Sequence, residues 1–292
     1  SIGVWFLVIK RLFDEKLALY ACAAILLTDL MWLFSLSGLP QMLMLLLFSL
    51  VCLITLLAME AQANESPGLT IGWLIAAGAI LGLMTLAHGL AFWIFLGWLV
   101  FSGLYFKPRG IAVLAGLAAF ALLVAPWMVR NYQVCGNPFG LAVYGAFFDT
   151  APEISYLREP SVELGGSGTS LQGKARANLL RQVGNIGPYL GVNVVAAAFF
   201  FALLHPFRSR KTAMFKWCLL AMWLGAVLGM AFYQATGPVS ENQMYVLFIP
   251  LFVAYGMAFL LVLWNRLELG APVLRVVFIS FLLFACAIPM LL

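Results

Sequence analysis

Long stretches of the chain carry hydrophobic side chains without a single charge. Residues 66–106 contain no Asp, Glu, Lys or Arg, and comparable gaps recur along the rest of the sequence. A helix that crosses the ~30 Å hydrocarbon core of a bilayer needs about 20 predominantly apolar residues. The pattern therefore predicts an all-α, polytopic transmembrane helical bundle, because helices satisfy their own backbone groups in lipid and the alternating segments of a membrane barrel do not occur in the sequence.

The apolar runs divide into about nine predicted spans and one partial span. The partial span is the run 3–9, which is too short to cross a bilayer and which we interpret as the end of a severed span. The nine predicted spans are residues 17–37, 39–59, 69–87, 90–106, 111–129, 187–205, 217–235, 244–264 and 273–292. We treat residues 1–292 as a single transmembrane domain with one long extracytoplasmic loop at 130–186.

Composition supports this class and excludes others. Hydrophobic residues make up 64% and charged residues 9% of the chain, and the mean hydropathy is +1.04, whereas soluble domains contain about 25% charged residues. The net charge of +5 does not indicate a nucleic-acid partner, because the basic residues fall in short clusters between apolar runs. The five cysteines are odd in number, and their spacing matches neither a disulfide framework nor a zinc site.

The basic clusters predict the orientation of the bundle. If the loop at 10–16 is cytoplasmic, the alternate loops at 107–109, 208–216 and 266–275 share that side, and together they hold eleven of the 16 Lys and Arg residues. The other five lie in the long loop 130–186, and long segments translocate with little regard to charge. We expect an integral protein of a bacterial inner (plasma) membrane whose active face is extracytoplasmic.

Two ionisable residues and one short helix stand out near the predicted outer face. Asp29 lies eight residues, about 12 Å, before the end of its predicted span, so it either lines a cavity open to the outside or makes a polar contact between helices. His88 caps an outer turn, where it either contacts a ligand or lies at the interface without a further role. Residues 171–183 predict an interfacial helix with Leu171, Ala175, Leu179 and Val183 on its apolar face.

An ordered motif follows the fifth predicted span. Residues 126–132 read PWMVRNY, and residues 136–138 read GNP. This motif resembles the membrane-embedded glycosyltransferases of superfamily C, notably the dolichyl-phosphate-mannose protein mannosyltransferase-like and aminoarabinose transferase-like group. In that group a long span ends in Pro-Trp, followed by Arg-Asn and a Gly-x-Pro turn on the outer face. The stretches 11–41, 82–89 and 241–256 resemble further motifs of the group in the same order.

The resemblance implies transfer of a sugar from a polyprenyl-phosphate carrier to an acceptor lipid, glycan or protein. Arg130, at the outer end of an uncharged span, either binds the lipid phosphate through charged hydrogen bonds or anchors the helix end. Asn131 and Tyr132 either bind the sugar or headgroup or cap the helix. The other candidate binding residues are Asp29, Gln41, His88, Glu241, Asn242 and Tyr245. Membrane lipid is a further expected partner, and nucleic acid is not.

Three positions depart from the group's pattern. Gln41 stands where relatives often have an acidic residue, His88 where they often have Arg or Lys, and Gln243 where many have Arg. The group's catalytic acidic residue follows its first span and would precede Ser1, so the catalytic residues stay unknown. The pattern indicates no cofactor, and it leaves a divalent cation open.

The implied mechanism is an inverting displacement. An acidic base deprotonates the acceptor hydroxyl, which attacks the anomeric carbon as the lipid phosphate leaves. Arg130 is the first candidate for stabilising the departing phosphate and His88 the second. Two alternatives from other classes stay open. One is a secondary transporter or lipid flippase, a class in which repeated halves and broken helices are typical, and the other is a noncatalytic membrane scaffold.

Overall fold

The computed structural model describes residues 1–140, 171–235, 237–267 and 272–291. In chain order the helices are α1 (Ile2–Leu12), α2 (Glu15–Leu26), α3 (Asp29–Leu36), α4 (Gln41–Ala63), α5 (Pro67–Ala87), α6 (Ala91–Tyr105), α7 (Arg109–Cys135), α8 (Leu171–Gly184), α9 (Ile186–Tyr189), α10 (Val194–Ala197), α11 (Phe199–Ala202), α12 (Arg210–Phe232), α13 (Ile249–Arg266) and α14 (Pro272–Leu291). A 3₁₀ turn, Tyr245–Leu247, precedes α13. These ranges contain no strand, which confirms the all-α class.

Six of the helices are long and apolar enough to cross a membrane, which is consistent with an integral membrane protein. They are α4, α5, α7, α12, α13 and α14. The pair formed by α2 and α3 makes a seventh if it counts as one span, and the two helices meet at a bend of 57°. Helix α6 is apolar but has only 15 residues. The predicted count of nine spans and a partial one is therefore not confirmed.

The predicted span 17–37 is broken at Thr28. Helix α2 ends at Leu26, and Thr28 takes the N-cap position of α3. The Thr28 hydroxyl donates to the Ala24 carbonyl oxygen at 3.0 Å and accepts from Asn193 Nδ2 at 3.0 Å. Ser, Thr, Asn and Asp side chains compete with the helix ladder in this way. Hydrophobicity alone did not reveal the break, because apolar residues flank it on both sides.

The predicted span 187–205 is likewise interrupted and contains α9, α10 and α11, each four residues long. The chain leaves the helical conformation at Gly191 and Val192, whose φ angles are +66° and +53°. Asn193 then starts α10 by accepting a hydrogen bond from the Ala196 amide at 3.0 Å. The continuous apolar pattern predicted one helix here, and that prediction was wrong.

The ends of other predicted elements differ less. The run 3–9 forms most of the 11-residue helix α1. Helix α7 continues to Cys135, well past the predicted end at 129, so the start of the predicted long loop is helical. Helix α8 confirms the helix predicted at 171–183. The rest of that loop, residues 141–170, lies outside the described residues.

Glycine residues allow α6 and α12 to pack closely. A side chain at Gly97 would overlap the Ala221 carbonyl of α12, and one at Gly225 would overlap the Trp93 carbonyl of α6. Small residues let helix backbones approach each other, which is the usual basis of helix association in membranes. Each helix thus contributes a glycine to the contact, and their relative position is fixed.

The long helices bring polar residues together at two opposite ends of the bundle. At one end Glu60 pairs with Arg11 at 2.7 Å and with Lys211 at 2.8 Å, and we call this the basic end. The other end carries the buried amides Gln41 and Gln243, and we call it the amide end. Helix α4 joins the two ends, because its 19-residue advance from Gln41 to Glu60 spans about 28 Å. The grouping of Arg11 with Lys211 agrees with the clustering that the charge pattern predicts.

Candidate functional site

Gln41 ties the loop between α12 and α13 to the start of α4. Its Nε2 donates to the backbone oxygens of Ser240 at 3.2 Å and Glu241 at 2.5 Å. The side chain is fully buried, and its Oε1 accepts no hydrogen bond from the described residues. A buried amide oxygen without a donor costs roughly 1–3 kcal/mol. A ligand donor that reached this oxygen would therefore be bound favourably.

Gln243 fixes the next part of the same loop. Its Nε2 donates to the Tyr189 carbonyl oxygen at 3.0 Å, and its Oε1 accepts from the Val246 amide at 3.1 Å. The residue is fully buried, and both ends of its amide are paired. Gln243 is thus a structural tie between α9 and the 3₁₀ turn in this protein.

Tyr245 connects this turn to α8 through an amide that the sequence analysis did not select. The Tyr245 hydroxyl donates to Gln182 Oε1 at 2.7 Å, and Gln182 Nε2 donates to the Val227 carbonyl oxygen at 3.3 Å. One turn earlier, Asn178 Nδ2 donates to the Ala231 carbonyl oxygen at 2.9 Å. Helix α8 therefore hydrogen-bonds to the last turns of α12.

The predicted apolar face of α8 does not face the bundle as a unit. Val183 is 71% exposed, whereas the polar residues Asn178 and Gln182 are buried. A face turned towards lipid would be exposed in this way, so the interfacial position of α8 stays a prediction. The four-residue spacing of the two amides was the available signal, since it puts both on one side of a helix.

His88 lies in the turn between α5 and α6 with its imidazole directed back at the backbone. Nδ1 accepts a hydrogen bond from the Leu90 amide at 3.3 Å, so Nε2 carries the proton in the neutral ring. Burial lowers the pKa of His88 below its usual 6.5, and the nearby Glu241 carboxylate opposes part of that decrease. At neutral pH the ring is therefore mainly a neutral Nε2–H donor rather than a cation.

Glu241 and Asn242 have different surroundings although they are neighbours in sequence. The Glu241 backbone oxygen is held by Gln41, while its side chain is exposed. Asn242 Nδ2 donates to the Gln234 carbonyl oxygen at 3.0 Å, so its amide closes the loop on itself. Glu241 is thus accessible to a ligand from solvent, and Asn242 serves mainly as a structural residue.

Arg130, Asn131 and Tyr132 lie within the last turns of α7, not in a loop. Arg130 is exposed, and Tyr132 is 63% exposed. The helix ends at Gly136, which is left-handed and donates from its amide to the Tyr132 carbonyl oxygen at 2.9 Å.

The chain beyond α7 returns to the start of α6. Phe139 lies against Phe92 with ring centroids 6.4 Å apart, so the end of α7 is at the amide end with His88. Within the described residues, no hydrogen bond or ion pair joins Arg130 to Gln41 or His88. The candidate residues therefore form a buried cluster and a separate exposed group at the same end of the bundle.

Asp29 belongs to neither group. It is the first residue of α3, and it lines a cavity of about 430 Å³ with Pro188, Gly191 and Pro289. Helix α3 keeps Asp29 eight residues, about 12 Å, before Ser37, but the predicted span is broken at Thr28, just before Asp29. Among the described residues Asp29 makes no side-chain hydrogen bond or ion pair, and the cavity interpretation gains support over a helix-to-helix contact.

The described part of the chain contains no group of three or more His, Cys, Asp or Glu residues that could hold a metal ion. The candidate site therefore consists of amides, one neutral imidazole and single charges. Such groups bind polar ligands by hydrogen bonds.

Comparison of the chain with protein-family models, with curated proteins and with solved structures gives no match. Its chemistry must be argued from its own residues.

Proposed function

We propose that this chain is part of a membrane glycosyltransferase that takes a sugar from a polyprenyl-phosphate donor and transfers it to an acceptor lipid, glycan or protein. The main support is the position of Arg130, an exposed arginine in the last turns of an apolar helix, at the same end of the bundle as Gln41 and His88. A lipid phosphate lies at the membrane boundary, where a cation at a helix end can reach it. The ordered motifs described above agree with this activity.

Five of the candidate residues have a role in this proposal. Arg130 binds the donor phosphate with its planar guanidinium and stabilises the charge that develops as the phosphate leaves. Asn131 and Tyr132 bind the sugar or the headgroup. His88 donates a neutral hydrogen bond from Nε2, and the exposed Glu241 carboxylate binds a sugar hydroxyl. The general base that deprotonates the acceptor is not assigned.

The proposed orientation places the amide end outside the cytoplasm and the basic end inside it. It counts about nine crossings and a partial one, including the shorter α6 and the interrupted segment from α9 to α11. The predicted loop 130–186 would then face outwards, and the membrane would be a bacterial inner membrane. The positive-inside rule supports this direction, because Arg11, Lys211 and the other clustered basic residues share one end.

A secondary transporter or lipid flippase is the second candidate, and the paired helix breaks favour it. The break between α2 and α3 is joined to the break before α10 by the hydrogen bond from Asn193 Nδ2 to Thr28 Oγ1, at 3.0 Å. Discontinuous helices are typical of substrate sites in secondary transporters. Proteoliposomes that move a fluorescent polyprenyl phosphate between leaflets, with no sugar transfer in the same preparation, would favour this candidate over the transferase.

Binding of the donor's lipid phosphate tests the proposed role of Arg130. We expect Arg130→Ala to weaken binding of radiolabelled undecaprenyl phosphate to the protein in nanodiscs by about 10- to 150-fold, because a charged hydrogen bond contributes roughly 1.5–3 kcal/mol. Arg130→Lys should restore part of the affinity, since an ammonium lacks the bidentate geometry. Undecaprenol, which has no phosphate, should bind equally to all three proteins.

Arg109→Ala is the matched control, because Arg109 is an exposed arginine at the opposite end of the same helix. It should leave the affinity for undecaprenyl phosphate unchanged. If Arg130→Ala binds the phosphate lipid as tightly as the parent while remaining folded, Arg130 only anchors the helix. An equal loss in Arg109→Ala would mean that the binding is nonspecific attraction to basic residues.

A further inference from the structure

The cavity beside Asp29 lies where four separate segments meet. Asp29 begins α3, Gly191 and Val192 belong to the turn between α9 and α10, and Val239 belongs to the loop before α13. Pro289 of α14 closes another side. The volume of about 430 Å³ is within the range of small-molecule sites, roughly 300–1,000 Å³.

The lining has acceptors but few donors. Pro188, Pro238 and Pro289 have no backbone N–H, and most of the remaining wall is apolar. Among the described residues, Asp29 is the only ionisable side chain in the lining, and no basic residue pairs with it. A carboxylate in apolar surroundings binds a cation with N–H donors far better than it binds a neutral or anionic group.

Buried polar residues next to the lining residues Asp29 and Val192 are hydrogen-bonded to one another. Asn193 Nδ2 donates to the Thr28 hydroxyl at 3.0 Å, and Asn193 Oδ1 accepts from the Cys286 thiol at 3.4 Å. Gly191 packs so closely on these residues that an added Cβ would lie 2.9 Å from Thr28 Cγ2. The breaks in both helices are therefore locked together, and Asp29 is held at the cavity by rigid neighbours.

We propose that this cavity binds an organic ammonium group carried on a short apolar body. One carboxylate supplies too few oxygen ligands for Ca²⁺ or Mg²⁺, which take six or more. An alkylammonium needs only one carboxylate for its charge, and it buries its carbon chain against Leu30 and Leu33, which also line the cavity. This site goes beyond the proposed transferase activity, and it does not use Arg130 or the amide cluster.

Charge-selective labelling of a thiol at the cavity tests the proposal. Val239→Cys introduces a thiol at a lining residue that is 39% exposed, and Cys135→Ser removes the one native cysteine that is not buried. In detergent we expect 2-aminoethyl methanethiosulfonate to react faster than its anionic 2-sulfonatoethyl analogue. Asp29→Asn should lower the ratio of the two rates by at least about fivefold, the effect of one unit charge near contact distance in water. Asp29→Glu should retain the ratio.

Protection of the same thiol identifies the ligand class. Hexylamine should slow the labelling of the Val239→Cys protein, hexanol should not, and Asp29→Asn should abolish the difference between them. Val134→Cys is the control position, because Val134 is 74% exposed on α7 and does not line the cavity. Its rate ratio should not respond to Asp29→Asn.

Equal protection by hexylamine and hexanol would overturn the proposal, as would a rate ratio that Asp29→Asn leaves unchanged. The comparison of amine with alcohol in the protein that retains Asp29 still tests the proposal if Asp29→Asn fails to fold. Arg130→Ala should leave the protection intact. This binding assay requires no sugar transfer, so its result does not depend on whether the transferase proposal is right.

Discussion

The two ends of the bundle are held together by different chemistry. At the basic end the ties are charged: Glu60 accepts from Arg11 and Lys211, and Lys216 donates to the carbonyl oxygens of Leu203 at 2.7 Å and His205 at 2.8 Å. At the amide end the ties are neutral, and fully buried amides such as Gln243 bind backbone atoms of distant segments.

The difference follows from how deeply the hydrogen-bonded groups are buried at each end. The ion pairs of Glu60 at the basic end are partly exposed, so they cost little desolvation and contribute modestly. Neutral amides can be buried fully, because moving an amide out of water costs far less than moving an ion. The amide end can therefore fix its loops without using charge, and Glu241 and Arg130 remain exposed for a ligand.

Lys216 is the residue whose loss should cost most, because it is the one charged tie of the basic end that is only 5% exposed. Lys216→Met keeps the apolar stem and leaves the Leu203 and His205 carbonyls without their ammonium donor. We expect a loss of about 2–3 kcal/mol of stability, since each orphaned buried acceptor costs roughly 1–3 kcal/mol. The measurement is thermal unfolding of the detergent-purified protein.

Lys211→Met is the matched control, because the Lys211 side chain is 30% exposed in its pair with Glu60. The substitution should lower stability by at most about 1 kcal/mol, the value typical of exposed ion pairs, and this decrease should be smaller at high salt. Equal destabilisation by the two substitutions would show that burial does not distinguish these lysines, and the account of the basic end would be wrong.

At the amide end we expect smaller losses of stability, which differ between the two buried glutamines. Gln243→Met should cost about 2 kcal/mol, because the Tyr189 carbonyl and the Val246 amide both lose a partner. Gln41→Met should cost less, about 1 kcal/mol, because it also removes the buried, unpaired Gln41 Oε1, and this offsets part of the cost of leaving the Ser240 and Glu241 oxygens without their donor. Unfolding of both variants under identical conditions measures the order.

The reverse order, with Gln41→Met the more damaging, would mean that Gln41 Oε1 has a partner in the folded protein. A neutral ligand bound at this oxygen would have that effect, and then only the parent protein should be stabilised by the ligand. Comparison of the two variants thus tells whether Gln41, unlike Gln243, has an amide oxygen that is free to bind a ligand.

Hydrophobicity predicted the helices that are long and uniformly apolar. Helix α4 and helix α5 fall close to their predicted ranges 39–59 and 69–87, which contain no charged residue and no internal break. It failed at Thr28 and at Gly191, where one capping residue or one left-handed residue ends a helix inside an apolar run. Such breaks cannot be separated from tolerated polar residues by hydropathy, because tertiary contacts decide between the two.

The candidate site was predictable by residue type but not by arrangement. The sequence pattern indicated Gln41 and Glu241, yet their contact joins positions 200 residues apart, and no local pattern encodes such a distance. It missed Gln182, because a glutamine on a predicted surface helix is most simply explained as exposed. It placed Asp29 in a continuous helix, since the pairing of Thr28 with Asn193 depends on tertiary packing.

The smallest effect that we expect concerns pH, and it applies to one histidine at each end. Burial lowers the pKa of His88, and burial together with Arg266 and Lys216 lowers the pKa of His205. A lowered folded-state pKa means that the unfolded chain protonates first as the pH falls. Stability should be full above about 6.5, the ordinary pKa of histidine, and should decrease as the pH falls towards the folded-state pKa. His88→Asn, which keeps an acceptor for Leu90, should reduce the decrease in thermal stability between neutral and mildly acidic pH.

Charged neighbours should shift the pKa values of the two histidines in opposite directions at the two ends. Glu241 raises the pKa of His88, so Glu241→Gln should lower that pKa further and make the protein less stable in acid. Arg266 lowers the pKa of His205, so Arg266→Gln should raise that pKa and make the protein more stable in acid. The two histidine resonances, followed by NMR as the pH is lowered, give the pKa directions independently of stability. If both substitutions shift their histidine in the same direction, the opposite electrostatic environments of the two ends are not present in solution.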